Sequence, residues 1–76
     1  RALGKLGPAA TPAVGALVLA LSDPDEKLRT ESARALERIG PSAGAAVTAL
    51  VAAEHDSSQT VREAAQSAIR TITASR

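Results

Sequence analysis

The sequence predicts an all-α protein in which antiparallel helix pairs stack as an α-solenoid, with about two and a third repeats of a 33-residue unit in 76 residues. The first observation is a fixed spacing. Ala2-Leu3-Gly4-Lys5-Leu6-Gly7-Pro8 precedes Ala35-Leu36-Glu37-Arg38-Ile39-Gly40-Pro41 by 33 residues, and Ala68-Ile69-Arg70-Thr71-Ile72 follows at the same interval. The second is identity in register: residues 1–43 laid on 34–76 without a gap match at 17 positions, among them Gly7/Gly40, Leu17/Leu50, Asp23/Asp56 and Arg29/Arg62. The third is apolar spacing of three and four residues between turn clusters, the period of a helix with one buried face.

Arg1 to Pro8 reads as the end of a helix, with Leu3 and Leu6 on one face and Gly7-Pro8 as its stop. The first full unit, 9–41, opens with a helix over Pro12–Ser22, position A of the repeat, burying Val14, Leu17, Val18 and Leu21, with Thr11 available as N-cap. Ser22-Asp23-Pro24-Asp25 is a turn whose carboxylates can accept from the free amides of the next helix. That helix, position B, runs over Glu26–Ile39 with Leu28, Ser32, Ala35, Leu36 and Ile39 inward. Pro41–Gly44 is a short joint. The second unit, 42–74, repeats A over Ala45–Glu54 with Val47, Leu50 and Val51 inward. Its B helix spans Gln59–Thr73 with Val61, Ala64, Ala65, Ala68, Ile69 and Ile72 inward. Thr73-Ala74 stands where Gly-Pro stood, which suggests the end of an array, although the whole reads as a piece of a longer one.

Composition excludes more than it assigns. There is no Phe, Trp, Tyr, Met or Cys, so burial rests on Leu, Ile, Val and Ala, and neither a disulfide framework nor a thiolate site is available. A net charge of +1 gives no general affinity for polyanions. The longest apolar-or-Gly run, Ala13–Leu21, is too short for a bilayer, no charged-then-apolar leader opens these residues, and Arg1 is no natural start. No nucleophile–base pair, carboxylate pair or metal cluster is legible, so the expectation is no enzyme and no cofactor.

A 33-residue period is also the ankyrin length, but Thr11-Pro12-Ala13 becomes Gly44-Ala45-Ala46 one period later and the ankyrin hairpin glycines are missing. Asp23-Pro24-Asp25, Leu28-Arg29, Ala35-Leu36 and Ile39-Gly40, answered by Asp56, Val61-Arg62, Ala64-Ala65, Ala68-Ile69 and Ile72, instead resemble the HEAT-like repeat of the bacterial type also found in phycobilisome lyase subunits. The resemblance departs at Glu31 and Ser32, where Ala-Ala is preferred, and at Ser57, where Pro is. It implies helix pairs stacked in a right-handed superhelix with the B helices on the concave side.

Two sets of residues follow. Asp23, Arg29, Asp56 and Arg62 recur in phase, and an acid in each turn paired with an arginine of its own or the adjacent repeat is a stacking device; Gly7 and Gly40 end helices. His55 lacks ligand partners of the right kind and reads as a helix-end residue. All nine Lys and Arg fall on B segments or at the chain end, and none lies on an A helix. Stacking at the period puts Arg34 with Ser67, Arg38 with Lys5 and Thr71, and Arg70 beside them. Lys5, Arg34, Arg38 and Arg70 are therefore the candidate contacts for a protein partner on the B face. Helix A has no charged residue from Ala9 to Ser22, so Leu19 is the candidate contact on its outer side, with another part of the chain or a second copy.

The expected function is a non-catalytic protein-interaction scaffold, with an accessory part of an enzyme as the alternative and phosphate-backbone binding less favoured, since acids interleave with the arginines. About three repeats are normally needed for stability. The chain should thus be marginal alone. Its helical circular dichroism and its molar mass should fall together on dilution, whereas a stable monomer would hold both.

Overall fold

A computed structural model describes residues 12–74, and these are helical throughout apart from the turns. Four α-helices follow one another: α1 (Pro12–Ala20), α2 (Glu26–Ile39), α3 (Val47–Ala53) and α4 (Gln59–Thr73), with a 3₁₀ segment over Gly40–Ala46 between α2 and α3. α1 and α3 occupy position A of the repeat, and α2 and α4 position B. The pair that packs most extensively is α2 with α4, so the B layer holds the two hairpins together. The all-α solenoid expected from the sequence is the fold.

Local chemistry explains each boundary. Pro12 opens α1, where its missing N–H removes no bond. Asp25 caps α2 by accepting from Lys27 N at 3.0 Å, and Glu26 adds an acid to the first turn. Ser58 caps α4 by accepting from Val61 N at 3.3 Å. α2 ends on Gly40, whose φ of 74° and ψ of −145° lie in a region nearly closed to side chains. α4 instead ends on Ala74 at φ −73°, as the loss of the glycine requires.

Both B helices span the residues the periodicity predicts. The A helices are shorter than expected. α1 stops at Ala20, and the predicted joint over 41–44 is itself wound as 3₁₀ helix, kinked at Ala43 (φ −94°, ψ 21°), before α3 begins. Gly40 ends α2, and Pro41 then starts the next turn, so no open loop is needed.

The core runs as one cluster through both hairpins: Val14, Leu21, Ala33, Leu36, Ala43, Ala46, Leu50, Ala53, Val61, Ala64, Ala65, Ala68 and Ile72 are buried. Leu17, Val18, Ile39, Val47 and Ile69 pack half-buried against it, Ala35 is half-buried, and two expected core residues are exposed. Leu28 is 40% exposed and Val51 45% exposed. The reason is the stack itself: their counterparts one period away, Val61 and Val18, lie against the other hairpin, whereas Leu28 and Val51 stand on the two outer faces. Conversely Thr30 and Ala33 of α2, not expected inside, are buried. Ser32 is buried with its hydroxyl donating to Leu28 O at 2.7 Å.

An added Cβ would meet nothing within 4 Å at Gly15 or at Gly40. The two differ in backbone only, so Gly15→Ala should raise stability by about 1 kcal/mol through helix propensity. Gly40→Ala should lower it by about 1–3 kcal/mol through the positive φ. Urea unfolding of the two variants distinguishes these outcomes.

Candidate functional site

The turns between paired helices carry the first constellation. In the first turn, Asp23 Oδ1 accepts from Asp25 N at 2.8 Å; in the second, Asp56 Oδ1 accepts from Ser58 N at 2.9 Å. Each arginine of the B helix then reaches back six residues. Arg29 Nη1 donates to Asp23 O at 2.8 Å and to Pro24 O at 3.0 Å, and Arg62 Nη1 donates to Asp56 O at 2.7 Å. The turn is therefore built the same way twice.

Arg29 does more than close its own turn. Its Nε donates to Asp56 Oδ2 at 2.9 Å and its Nη2 to Asp56 Oδ1 at 3.2 Å, a bidentate ion pair that joins one hairpin to the next. The two side chains are only 15% and 13% exposed, so solvent screens the pair less than it would a surface bridge. The Ser58 N–H is the largest influence holding the Asp56 carboxyl below the usual carboxylate range; burial pushes it back up, and the Arg29 guanidinium and the charge of Arg62 add to the lowering.

The second constellation lies on the B face. Arg34, Glu37 and Arg38 of α2 and Thr60, Glu63, Ala64 and Ser67 of α4 line a groove of about 350 Å³. Arg34 and Arg38 are exposed and, among the described residues, neither has a hydrogen bond or an ion pair. Glu37, which stands between them in sequence, bonds across the seam: its Oε2 accepts from Ser67 Oγ at 2.8 Å and from Thr71 Oγ1 at 3.1 Å. These seam bonds were not legible in the sequence, although the rows that put Ser67 beside Arg34 and Thr71 beside Arg38 point to the same contact. Glu31 lies with Arg34 and Arg38 on the outer side. Arg70 is exposed but does not line the groove.

Leu19 is 77% exposed on the other side of the molecule. It borders a groove of about 590 Å³ between α1 and α3, walled by Val18, Leu21, Ala49, Ala52 and Ala53 and reaching the Arg29–Asp56 pair. Lys5 and Gly7 lie outside the described residues. Among those described, no three His, Cys, Asp or Glu side chains gather to hold a metal ion. His55 is exposed in the turn after α3. No helix among the described residues is long and apolar enough to cross a membrane.

Stacked hairpins tied through a repeated Asp–Arg turn define a helical-repeat solenoid. The family model for HEAT repeats matches residues 1–70, and the chain belongs to that family. The match is to the repeat itself and brings no lyase with it. No match was found among curated proteins or among solved structures. HEAT repeats generally mediate protein–protein interaction and typically serve as non-catalytic scaffolds.

Because the folded Asp56 carboxyl titrates below its unfolded value of about 3.9, its contribution is complete above that pH and is lost as pH falls through the depressed value. The stability difference between the protein and Asp56→Asn should therefore be full near neutrality and shrink below about pH 3.9. Arg29→Ala should cost about 2 kcal/mol at neutral pH. Urea midpoints across pH check both.

Proposed function

We propose that the chain is a scaffold whose B face holds an acidic segment of a partner protein, with Arg34 and Arg38 as the carboxylate-binding residues. One observation carries this reading. Two exposed guanidinium groups one helical turn apart border a groove and make no hydrogen bond or ion pair among the described residues, while Glu37 between them accepts from Ser67 and Thr71 across the seam. Two like charges at i and i+4 repel, so their proximity destabilises the free helix and is relieved when a carboxylate binds between them.

Glu31 and Glu63 interleave with the arginines along this face. That pattern suits a short acidic stretch that sets its carboxylates at the two arginines and disfavours a continuous phosphate backbone, and no aromatic residue is available to stack on bases. Arg70 and Lys5 belong to the same basic-biased set, and the groove does not need them. The accessory-subunit alternative would use the same face, with an enzyme as the partner.

Fluorescence anisotropy with a labelled Glu-rich peptide tests the reading. Arg34→Ala combined with Arg38→Ala should weaken binding about tenfold, with unchanged helical circular dichroism, and Leu19→Ala should leave affinity unaltered. Equal affinity of the double variant would overturn the assignment. Tighter binding to single-stranded DNA, falling steeply with salt, would transfer the site to phosphates.

A further inference from the structure

Every charged residue of the four helices stands on α2 or α4. The A layer has none, from residue 12 to 22 or from 40 to 53, and α1 has no polar side chain at all. A helix that is apolar on every side is one that is covered on every side. Yet Ala13, Ala16 and Leu19 of α1 and Ala52 of α3 face solvent on the side away from the B helices, and Leu19 is the most exposed of the large apolar side chains.

We infer that this face is the contact for a second copy of the chain, related by a two-fold axis, with Leu19 of each copy seated in the groove between α1 and α3 of the other. Shape carries the inference. One period after Leu19 stands Ala52, so a single face holds a knob on α1 and a hollow on α3, where Ala49, Ala52 and Ala53 wall the groove of about 590 Å³. The repeat itself does not call for the knob, since the second hairpin stacks with an alanine there. A surface that carries both a knob and a hollow is complementary to itself, and a two-fold axis lets each copy fill the other.

Charge and area agree with this occupant. Two A layers face to face bring no like charges together and bury no unpaired charge. The B face of a copy is not the counterpart, because Glu31, Arg34 and Arg38 would be buried against alanine and leucine. A stable dimer takes about 800 Å² from each partner, a modest part of the 4597 Å² the molecule exposes and within reach of one of its two layers. The contact leaves α2 and α4 of each copy outward, so the two B grooves open on opposite sides of the dimer. A partner with two acidic segments then gains by avidity, and only this consequence rests on peptide binding at Arg34 and Arg38.

Sedimentation equilibrium of the whole chain should show a species of twice the 7.7 kDa chain mass. Leu19→Glu should raise its dissociation constant about tenfold or more, and Arg34→Ala with Arg38→Ala should leave it within about twofold. Cross-linking reads the contact without a charge at position 19, and the chain has no cysteine of its own to interfere. On oxidation, a mixture of the Leu19→Cys and Ala52→Cys proteins should form the mixed disulfide about tenfold faster than a mixture of Leu19→Cys and Arg34→Cys. Equal rates in the two mixtures, or a chain that stays monomeric up to about 1 mM, would overturn the inference. So would a dimer that Leu28→Ser abolishes and Leu19→Glu does not, which places the contact on another face. A monomer whose Leu19 groove takes an apolar helix of a different protein hands the face to that protein and equally overturns it. Sedimentation and cross-linking are independent of peptide affinity, so a failed peptide titration leaves this inference standing and a monomer leaves the peptide site standing.

Discussion

The rest of the structure depends on the fork that Arg29 makes around Asp56. A helix hairpin built from Leu, Val, Ile and Ala has too little apolar area to stay folded by itself, so its stability comes from the hairpin beside it. The fork sets how the two meet. It spends one guanidinium on three jobs: closing its own turn through Asp23 O and Pro24 O, bridging to the next hairpin, and placing charge beside a carboxylate that already caps its own turn through Ser58 N. Because the carboxylate is also held by the Ser58 N–H, little further freedom is lost when the pair forms.

With that register set, small residues can do the packing. Leu36, Leu50 and Val61 are the largest apolar side chains with no exposure, and the alanines at 33, 46, 65 and 68 are just as deeply buried. Alanine contributes little area per residue but costs no side-chain entropy and lets helix backbones approach closely. A core of this kind has no single large anchor. It holds because many small contacts meet between the two hairpins, and it fades at the two outer faces, where Leu28 and Val51 lose their neighbours.

The same register creates the B-face groove as a by-product. Glu37 bonds across the seam because α4 brings Ser67 and Thr71 to it, while Arg34 and Arg38 beside it make no ion pair among the described residues. In the proposed function, the side chain that joins the two hairpins thus stands between the two arginines that would meet the partner.

Much of this was legible in the sequence, and the legible part has a common cause. The period of 33, the B helices over Glu26–Ile39 and Gln59–Thr73, and the recurring Asp and Arg are local or repeated features, and repetition reports a neighbour's geometry without a structure in hand. Only the tertiary structure decided which of two inward-looking apolar faces met a neighbour. Leu28 and Val61 occupy one register position and carry equivalent side chains, yet one is exposed and the other buried, because burial belongs to the pair of hairpins and not to the residue. It also decided the partner of Glu37, since a hydrogen bond across a seam depends on distances between helices that no spacing along one chain contains.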